Sequence, residues 1–400
     1  MSTGEPGRRR MAAARVAVGQ AGGPTAVTNA SLFGFVEEAL LGCEVHGVIN
    51  GLQGLAEDRL VPLPASTVER HRRMREMPGA WLGAGRWPAR EEDFEGYAIN
   101  LKNRGIRSLA LIGGNGTMWA CLRLERAARR IGAELSVIGI PKTVDNDLAE
   151  TDHAPGFGSA ARFVATAVRD VSKDLESMRN FEAVRVLETM GRNVGWLAMS
   201  GGYLKRRPED PPHLIYVPER EFVQDEFLKE VKETHEAYGY AVAVVSEGLQ
   251  GRAKSDPGDH PKSPLLGGVS RELAQLVSEE LGLSARGELL GMVQRSYSLA
   301  VSQRDREEAW LLGGEAARIM RAGVSGVMLG LERRSSSRYE VKIRHVPLER
   351  VAGAERPFPE YWLRAPDALV PEEFREWLEP LVGEDLSAYP ANLSEQETSW

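Results

Sequence analysis

The stretch SLALIGGNGTMWACLRLERAARRIG, Ser108 to Gly132, decides how the chain folds. An apolar run, Leu109-Ala110-Leu111-Ile112, leads into Gly113, Gly114, Asn115, Gly116 and Thr117, and a helix-like run follows. Strand, glycine turn and helix in that order are the unit of a parallel sheet covered by helices. The glycines carry two readings. One is a tight turn; the other is a cradle whose backbone N–H groups approach an anion at a positive helix end.

The unit recurs. Arg15 to Val18 is a short β-like run before GQAGGPTAVTNASLFGFVEEALLG, and LSVIGIPKTVDND repeats the strand end. A second series runs through VRVLETMGRNVGWLAMSGG, PHLIYVPE and YAVAVVSEGLQG, with a helix-like stretch, Ser159 to Met178, between the two. This alternation predicts an α/β chain of two doubly wound, Rossmann-like domains with mainly parallel sheets and sites at the carboxyl ends of their strands. SEGLQGRAKSDPGDHPKSPLLGG reads as a long loop. The tail from about Val346, with its prolines and aromatic residues, is expected to wrap the surface or cover a site. Residues 1–14 read as a flexible leader, with Met11 an alternative start to Met1.

Four hundred residues, 42% hydrophobic and 27% charged, are enough for two or three packed units. The net charge of −7 gives no general attraction for nucleic acid or an anionic membrane. No apolar run approaches the roughly 20 residues that span a bilayer. Two cysteines, Cys43 and Cys121, make neither a disulfide framework nor a structural zinc site, so a reducing cytoplasm is the expected setting.

The segment PKTVDND, Pro141 to Asp147, puts two carboxylates, a hydroxyl and an amine at a strand end. Asp and Asn favour turns and caps, which is the bland reading. The chemical one is that alternation sends Asp145 and Asp147 to the same side. One then accepts a substrate proton while the other holds magnesium.

Together, GGNGT and PKTVDND resemble the phosphofructokinase family. The resemblance extends in family order from about Val16 to about Leu386: GGPTAVTNA, GAGR, ETDHAPGFGSAA, LETMGRNVGWLA, VVSEG and GMVQR. TDHAPGFGSAA, LGGVSRELAQ and PFPEYW look most like its pyrophosphate-using lineage. The resemblance implies a glycolytic transfer of a phosphoryl group to the 1-hydroxyl of fructose 6-phosphate, through positioning and charge neutralisation. Asp145 matches the base, Thr143 a residue bridging the transferred group, and Lys142 and Arg192 groups that neutralise charge. Gly23, Arg86, Gly113, Gly114, Asn115, Gly116 and Thr117 match the donor site. Met190, Gly191, Arg192, Glu247, Arg286 and Arg295, with Thr143, Asp145 and Asp147, match the sugar-phosphate site. Mg2+ is implied at Asn115 and Asp147. It also implies a donor-binding domain over residues 15–158 plus about 294–345, a sugar-phosphate domain over 159–293, and a C-terminal extension over 346–400. A homodimer or homotetramer is expected, because family members often complete the sugar pocket from an adjacent subunit.

Three positions depart from the common pattern. Asn115 stands where the ATP enzymes usually carry a magnesium-binding Asp, which removes a formal charge. Met292 replaces a sugar-binding His of many ATP enzymes. Gly116 replaces the second acidic residue of the pyrophosphate-type loop, which would crowd and repel the α-phosphate of a nucleotide. Lys142 is the lysine associated with pyrophosphate. Gly116 removes a repulsive element whereas Lys142 adds an attractive one, and exclusion is the sharper determinant. ATP is therefore the expected donor and pyrophosphate the alternative, with sedoheptulose 7-phosphate a possible sugar. Sugar-phosphate isomerase and dehydrogenase readings lack supporting motifs. A diacylglycerol- or NAD-type kinase leaves PKTVDND and MGR unexplained. A regulatory subunit or sugar-phosphate sensor does not need Thr143, Asp145, Asp147 and Arg192.

Overall fold

The structure, a computed structural model, describes residues 14–249, 267–334, 338–363 and 369–390. The expected leader lies outside the described residues except for Ala14, as does the choice of start. So does most of the expected loop between Ser246 and Gly268.

Eleven strands are formed among the described residues: β1 Ala14–Gln20, β2 Cys43–Val48, β3 Leu60–Pro62, β4 Ile106–Gly113, β5 Ser136–Pro141, β6 Val184–Thr189, β7 Leu214–Tyr216, β8 Ala241–Ser246, β9 Ala285–Leu289, β10 Val327–Arg333 and β11 Val341–Pro347. They build a seven-stranded sheet in the order β11-β10-β5-β4-β1-β2-β3 and a four-stranded sheet in the order β7-β8-β6-β9. The smaller sheet is parallel throughout. The larger one is parallel except for its two edge strands, β3 and β11. The α/β class with mainly parallel sheets is therefore as the sequence predicts.

Period-two alternation sorts side chains onto both faces of each sheet. On β4, Leu109 and Leu111 enter one core with Phe94, Met118 and Leu124, while Ala110 and Ile112 enter the opposite core with Leu32, Phe35 and Leu312. On β8, Val242 and Val244 face the core built around Trp196, whereas Ala243 and Val245 face Phe227 and Leu273. Helix Gln303–Arg321 packs on Thr28–Ala39 so closely that a Cβ on Gly34 would lie 2.1 Å from the Trp310 carbonyl oxygen. Glycine is needed there for the two backbones to meet.

The C-terminal residues are part of the core of the smaller sheet. Phe358, Leu363, Val370, Phe374 and Leu378 are buried around Trp196. The Arg356 guanidinium stacks 4.4 Å from the centre of the Trp196 ring. These described residues of the tail are thereby packed into the core.

Candidate active site

The carboxyl ends of both sheets supply the candidate residues. β1, β4 and β5 are adjacent and in register, Gln20 opposite Ile112 and Gly113 opposite Pro141. Their ends release the loops carrying Gly22–Gly23, Gly113–Thr117 and Lys142–Asp147 side by side. In the smaller sheet, Thr189 of β6 pairs with Ser246 of β8, so Met190–Arg192 and Glu247 emerge together.

The donor-loop glycines have physical reasons. A Cβ on Gly113 would sit 2.1 Å from the Thr117 hydroxyl. The Gly114 carbonyl accepts from Thr117 N and Met118 N, which starts the helix Asn115–Arg130. A Cβ on Gly116 would meet nothing within 4 Å, so open space lies in front of it. Gly23 lies against Arg295, since a Cβ there would strike its guanidinium at 2.3 Å.

The loop after β5 is held by its own polar groups. Lys142 N donates to Gly113 O at 3.0 Å, and Thr143 N donates to Pro155 O at 3.1 Å. The Thr143 hydroxyl donates to Asp147 Oδ1 at 2.9 Å and accepts from Asp145 N at 3.1 Å. Asn146 takes a positive φ of 60°, and its Oδ1 accepts from Ala154 N. Lys142 is buried and donates through Nζ to Gly23 O.

Electrostatics mark the cleft. Burial pushes the Asp145 carboxyl well above its usual range; Asp147 and Glu247 reinforce this, and Arg192 and Lys142 oppose it. Asp147 is raised too, by burial first, with Glu355 adding repulsion and the Thr143 hydrogen bond opposing. Burial pushes Lys142 down to about 8, with Arg295 adding to the fall and both aspartates opposing it. Arg86 is lowered by burial and by the like charges of Arg192 and Arg295, while Glu247 and Asp145 oppose. Three guanidinium groups, Arg86, Arg192 and Arg295, stand near a raised carboxyl, an arrangement able to receive an anion.

The sugar-side loop is equally constrained. Gly191 has φ 118°, and a Cβ there would lie 2.4 Å from Val194 O. Gly248 lies so close to Arg192 that a Cβ would be 1.6 Å from its carbonyl oxygen. Met190 N donates to Gln294 Oε1 at 3.0 Å, and Glu247 N donates to Thr189 O at 2.9 Å. Met292 is 56% exposed on the 3-10 turn Gly291–Arg295.

The structure thus gathers Gly23, Arg86, Gly113 to Thr117, Lys142, Thr143, Asp145, Asp147, Met190 to Arg192, Glu247 and Arg295. Arg286 is not with them. It pairs in register with Arg185 near the start of β6 and faces Glu182 at 3.6 Å with its side chain 60% exposed. That position is roughly 16 Å along the strand from Met190. Gln294, Asn193 and Glu355 belong to the cleft but were not singled out from the sequence. The first two sit inside motifs already noted, whereas Glu355 follows no local pattern.

Among the described residues no group of three or more His, Cys, Asp or Glu is placed to hold a metal. No described helix is long and apolar enough to cross a membrane.

Comparison with known proteins identifies the family of the chain. A family model described as phosphofructokinase matches residues 15–320. A sulfofructose kinase of Alkalicoccus urumqiensis is 43% identical over 92% of this chain and 95% of its own. A pyrophosphate--fructose 6-phosphate 1-phosphotransferase of Xanthomonas campestris is 35% identical over 92% of both chains. The crystal structure of a pyrophosphate-dependent phosphofructokinase from Marinobacter aquaeolei superposes with a TM-score of 0.83 at 29% identity, covering 94% of this chain and 93% of that one. The chain belongs to the phosphofructokinase family, near its pyrophosphate-dependent lineage, and is a phosphotransferase.

Proposed function

We propose that the chain transfers a phosphoryl group from ATP to the 1-hydroxyl of fructose 6-phosphate. The observation that carries this reading is Asp145, a raised carboxyl at the meeting of the two sheets, flanked by Lys142 and Arg192. Asp145 takes the proton of the 1-hydroxyl as its oxygen attacks the γ-phosphorus; the bond from that phosphorus to the bridging oxygen breaks, and ADP leaves. Arg86, Arg192 and Lys142 spread the charge on the transferred group, and Thr143 lies where it passes. Asp147, with Asn115 nearby, would hold Mg2+, which would supply positive charge to neutralise the donor phosphates. The unit built on the larger sheet binds the donor, and that on the smaller sheet binds the sugar through Met190, Gly191, Arg192, Glu247 and Arg295.

Arg286 serves the sugar pocket of a neighbouring subunit, which makes the working enzyme a homodimer or homotetramer. Its exposed position on the edge strand β9 supports this. The free cysteines Cys43 and Cys121 accord with a cytoplasmic setting.

ATP is favoured by the open space at Gly116. Pyrophosphate is the second reading, supported by buried Lys142 and by relatives named for that donor. A second acceptor, a fructose bearing a 6-sulfonate, is supported by the relative named sulfofructose kinase and by Met292, a side chain without charge. A sulfonate carries one negative charge where a phosphate monoester carries about 1.5 to 2. Purified protein with Mg2+, ATP or pyrophosphate, and either sugar tests all of these. The reading expects a 1-phosphorylated product with ATP and fructose 6-phosphate; transfer from neither donor to either sugar overturns it.

A further inference from the structure

Outside the cleft, His153 is buried with a carboxylate at each ring nitrogen. Nδ1 lies 2.9 Å from Asp152 Oδ1, and Nε2 lies 2.6 Å from Glu308 Oε2. A carboxylate only accepts, and a neutral imidazole carries one N–H, so bonding two ionised carboxylates takes the imidazolium. Neighbouring elements hold the carboxylates in turn. The Tyr339 hydroxyl donates to Glu308 Oε1 at 2.6 Å and lies 3.3 Å from His153 Nε2. Trp377 Nε1 donates to Asp152 Oδ2 at 3.0 Å, and the Arg333 guanidinium stands 3.2 Å from Asp152 Oδ1. Arg304 lies over the Tyr339 ring at 4.9 Å, and Arg356 donates to the Asp152 carbonyl oxygen.

The catalytic loop hangs on the residues that follow His153. Thr143 N donates to Pro155 O at 3.1 Å, and Thr143 pairs with Gly156 in an isolated parallel bridge. Ala154 N donates to Asn146 Oδ1 at 3.2 Å, and the Thr143 hydroxyl accepts from Asp145 N. The segment is tied a second time to the helix Gln303–Arg321, where Asp305 accepts from Gly156 N at 2.8 Å and from Ser159 N at 3.0 Å. Asp305 and Glu308 are three apart and share one face of that helix. His153 thus joins the helix to the backbone that carries Thr143 and Asp145.

We propose that His153 is a positioning residue for the phosphoryl transfer: clamped between Asp152 and Glu308, it holds residues 154–156 where they set Thr143 and Asp145 against the sugar hydroxyl. This rests on the reading that Asp145 takes the sugar proton. His153 acts through the backbone and touches no reacting atom. Without it, two buried carboxylates lose their shared cation and separate, and the segment between them shifts. A misplacement of about 1 Å at reacting groups costs up to about 10² in rate.

The test is single-turnover transfer to fructose 6-phosphate from ATP and, separately, from pyrophosphate, at saturation and well below every Tm, with the sugar Kd measured alongside. His153→Gln is expected to slow transfer about tenfold or more at unchanged sugar Kd. Glu308→Gln is expected to do the same, and the double variant no more than the slower single, because both break one clamp. Val231→Ala, in the core around Phe227 on the face of the smaller sheet away from Trp196, is the stability control. It should lower Tm and leave transfer at the wild-type rate. Tyr339→Phe removes only the hydroxyl that holds Glu308; it should slow transfer a few-fold and carries the test if His153→Gln does not fold. Wild-type rates in the clamp variants, additive slowing, or equal slowing in Val231→Ala overturns the proposal. If wild type transfers from neither donor, the functional reading and this proposal fall together; unaffected clamp variants of a transferring enzyme remove this proposal alone.

Discussion

Gly116→Asp separates the two donors. Gly116 lies in the first turn of the helix Asn115–Arg130, and an added Cβ meets nothing within 4 Å. The variant therefore folds without steric cost, and an Asp there gains about 0.3 to 1 kcal/mol from the helix dipole. With ATP as the proposed donor, the same carboxylate would stand where the nucleotide α-phosphate passes. Two unit charges about 4 Å apart at an effective dielectric of about 20 interact by about 4 kcal/mol. Allowing for screening, a loss of about 3 kcal/mol lowers kcat/KM for ATP by more than about 10². Pyrophosphate ends short of this space and keeps Lys142, so it suffers less. The assay is the ratio of kcat/KM for ATP to that for pyrophosphate, with Tm as the folding control. An unchanged ratio at unchanged Tm refutes the argument that Gly116 admits the nucleotide.

Arg295→Ala should raise the sugar KM more than the donor KM, and the reverse pattern would mean the two sides of the cleft have been exchanged. Arg286→Ala should do the same only if subunits share a pocket; mixing Arg286→Ala with Asp145→Asn protomers should then restore activity, and a fully active monomer would remove the idea. In the free enzyme kcat/KM should rise as Asp145 loses its proton, well above the usual carboxylate range, and fall as Lys142 loses its own near pH 8; a flat profile from pH 5 to 9 contradicts both roles. His153 bonds Asp152 at 2.9 Å and Glu308 at 2.6 Å; burial opposes its charge, but these carboxylates raise it to about 9. Its folded pKa exceeds the unfolded value of 6.5, so this stability is full below about pH 6.5 and is lost as pH rises through about 9. Wild-type Tm should fall across that window, and His153→Gln should lower Tm while flattening the slope; equal slopes would show that His153 is not the group responsible.

The central strands were legible because their apolar runs are unbroken and end in turn-forming residues. LALIGG and SVIGIP are buried on both faces, so their patterns are continuous. The edge strands β9 and β11 alternate between half-buried and exposed residues and lack such runs. Within the cleft, Gly113 and Gly191 have local causes, the Thr117 side chain and a positive φ, whereas Gly23 and Gly248 are required by distant Arg295 and Arg192. Asn115 could be read as a departure from a pattern but not as a clamp on Gly353 and Ala354, since these partners lie more than 200 positions away. Arg286 was placed with the sugar site by its match to the family's sugar-phosphate contacts. The fold carries it to the far end of β9, a separation no linear spacing reveals.

The central claim is that Asp145 takes the proton from the 1-hydroxyl. It is tested most directly by transfer in a single turnover, with Asp145→Asn compared with wild type and the product located by phosphorus NMR. Wild type should place the phosphoryl group on the 1-position of fructose 6-phosphate. The variant should bind the sugar with the same Kd, have a Tm at least as high because a destabilised buried carboxylate is gone, and transfer slower by about 10² or more. Near-normal transfer by the variant, or phosphorylation at another hydroxyl by wild type, would contradict the account.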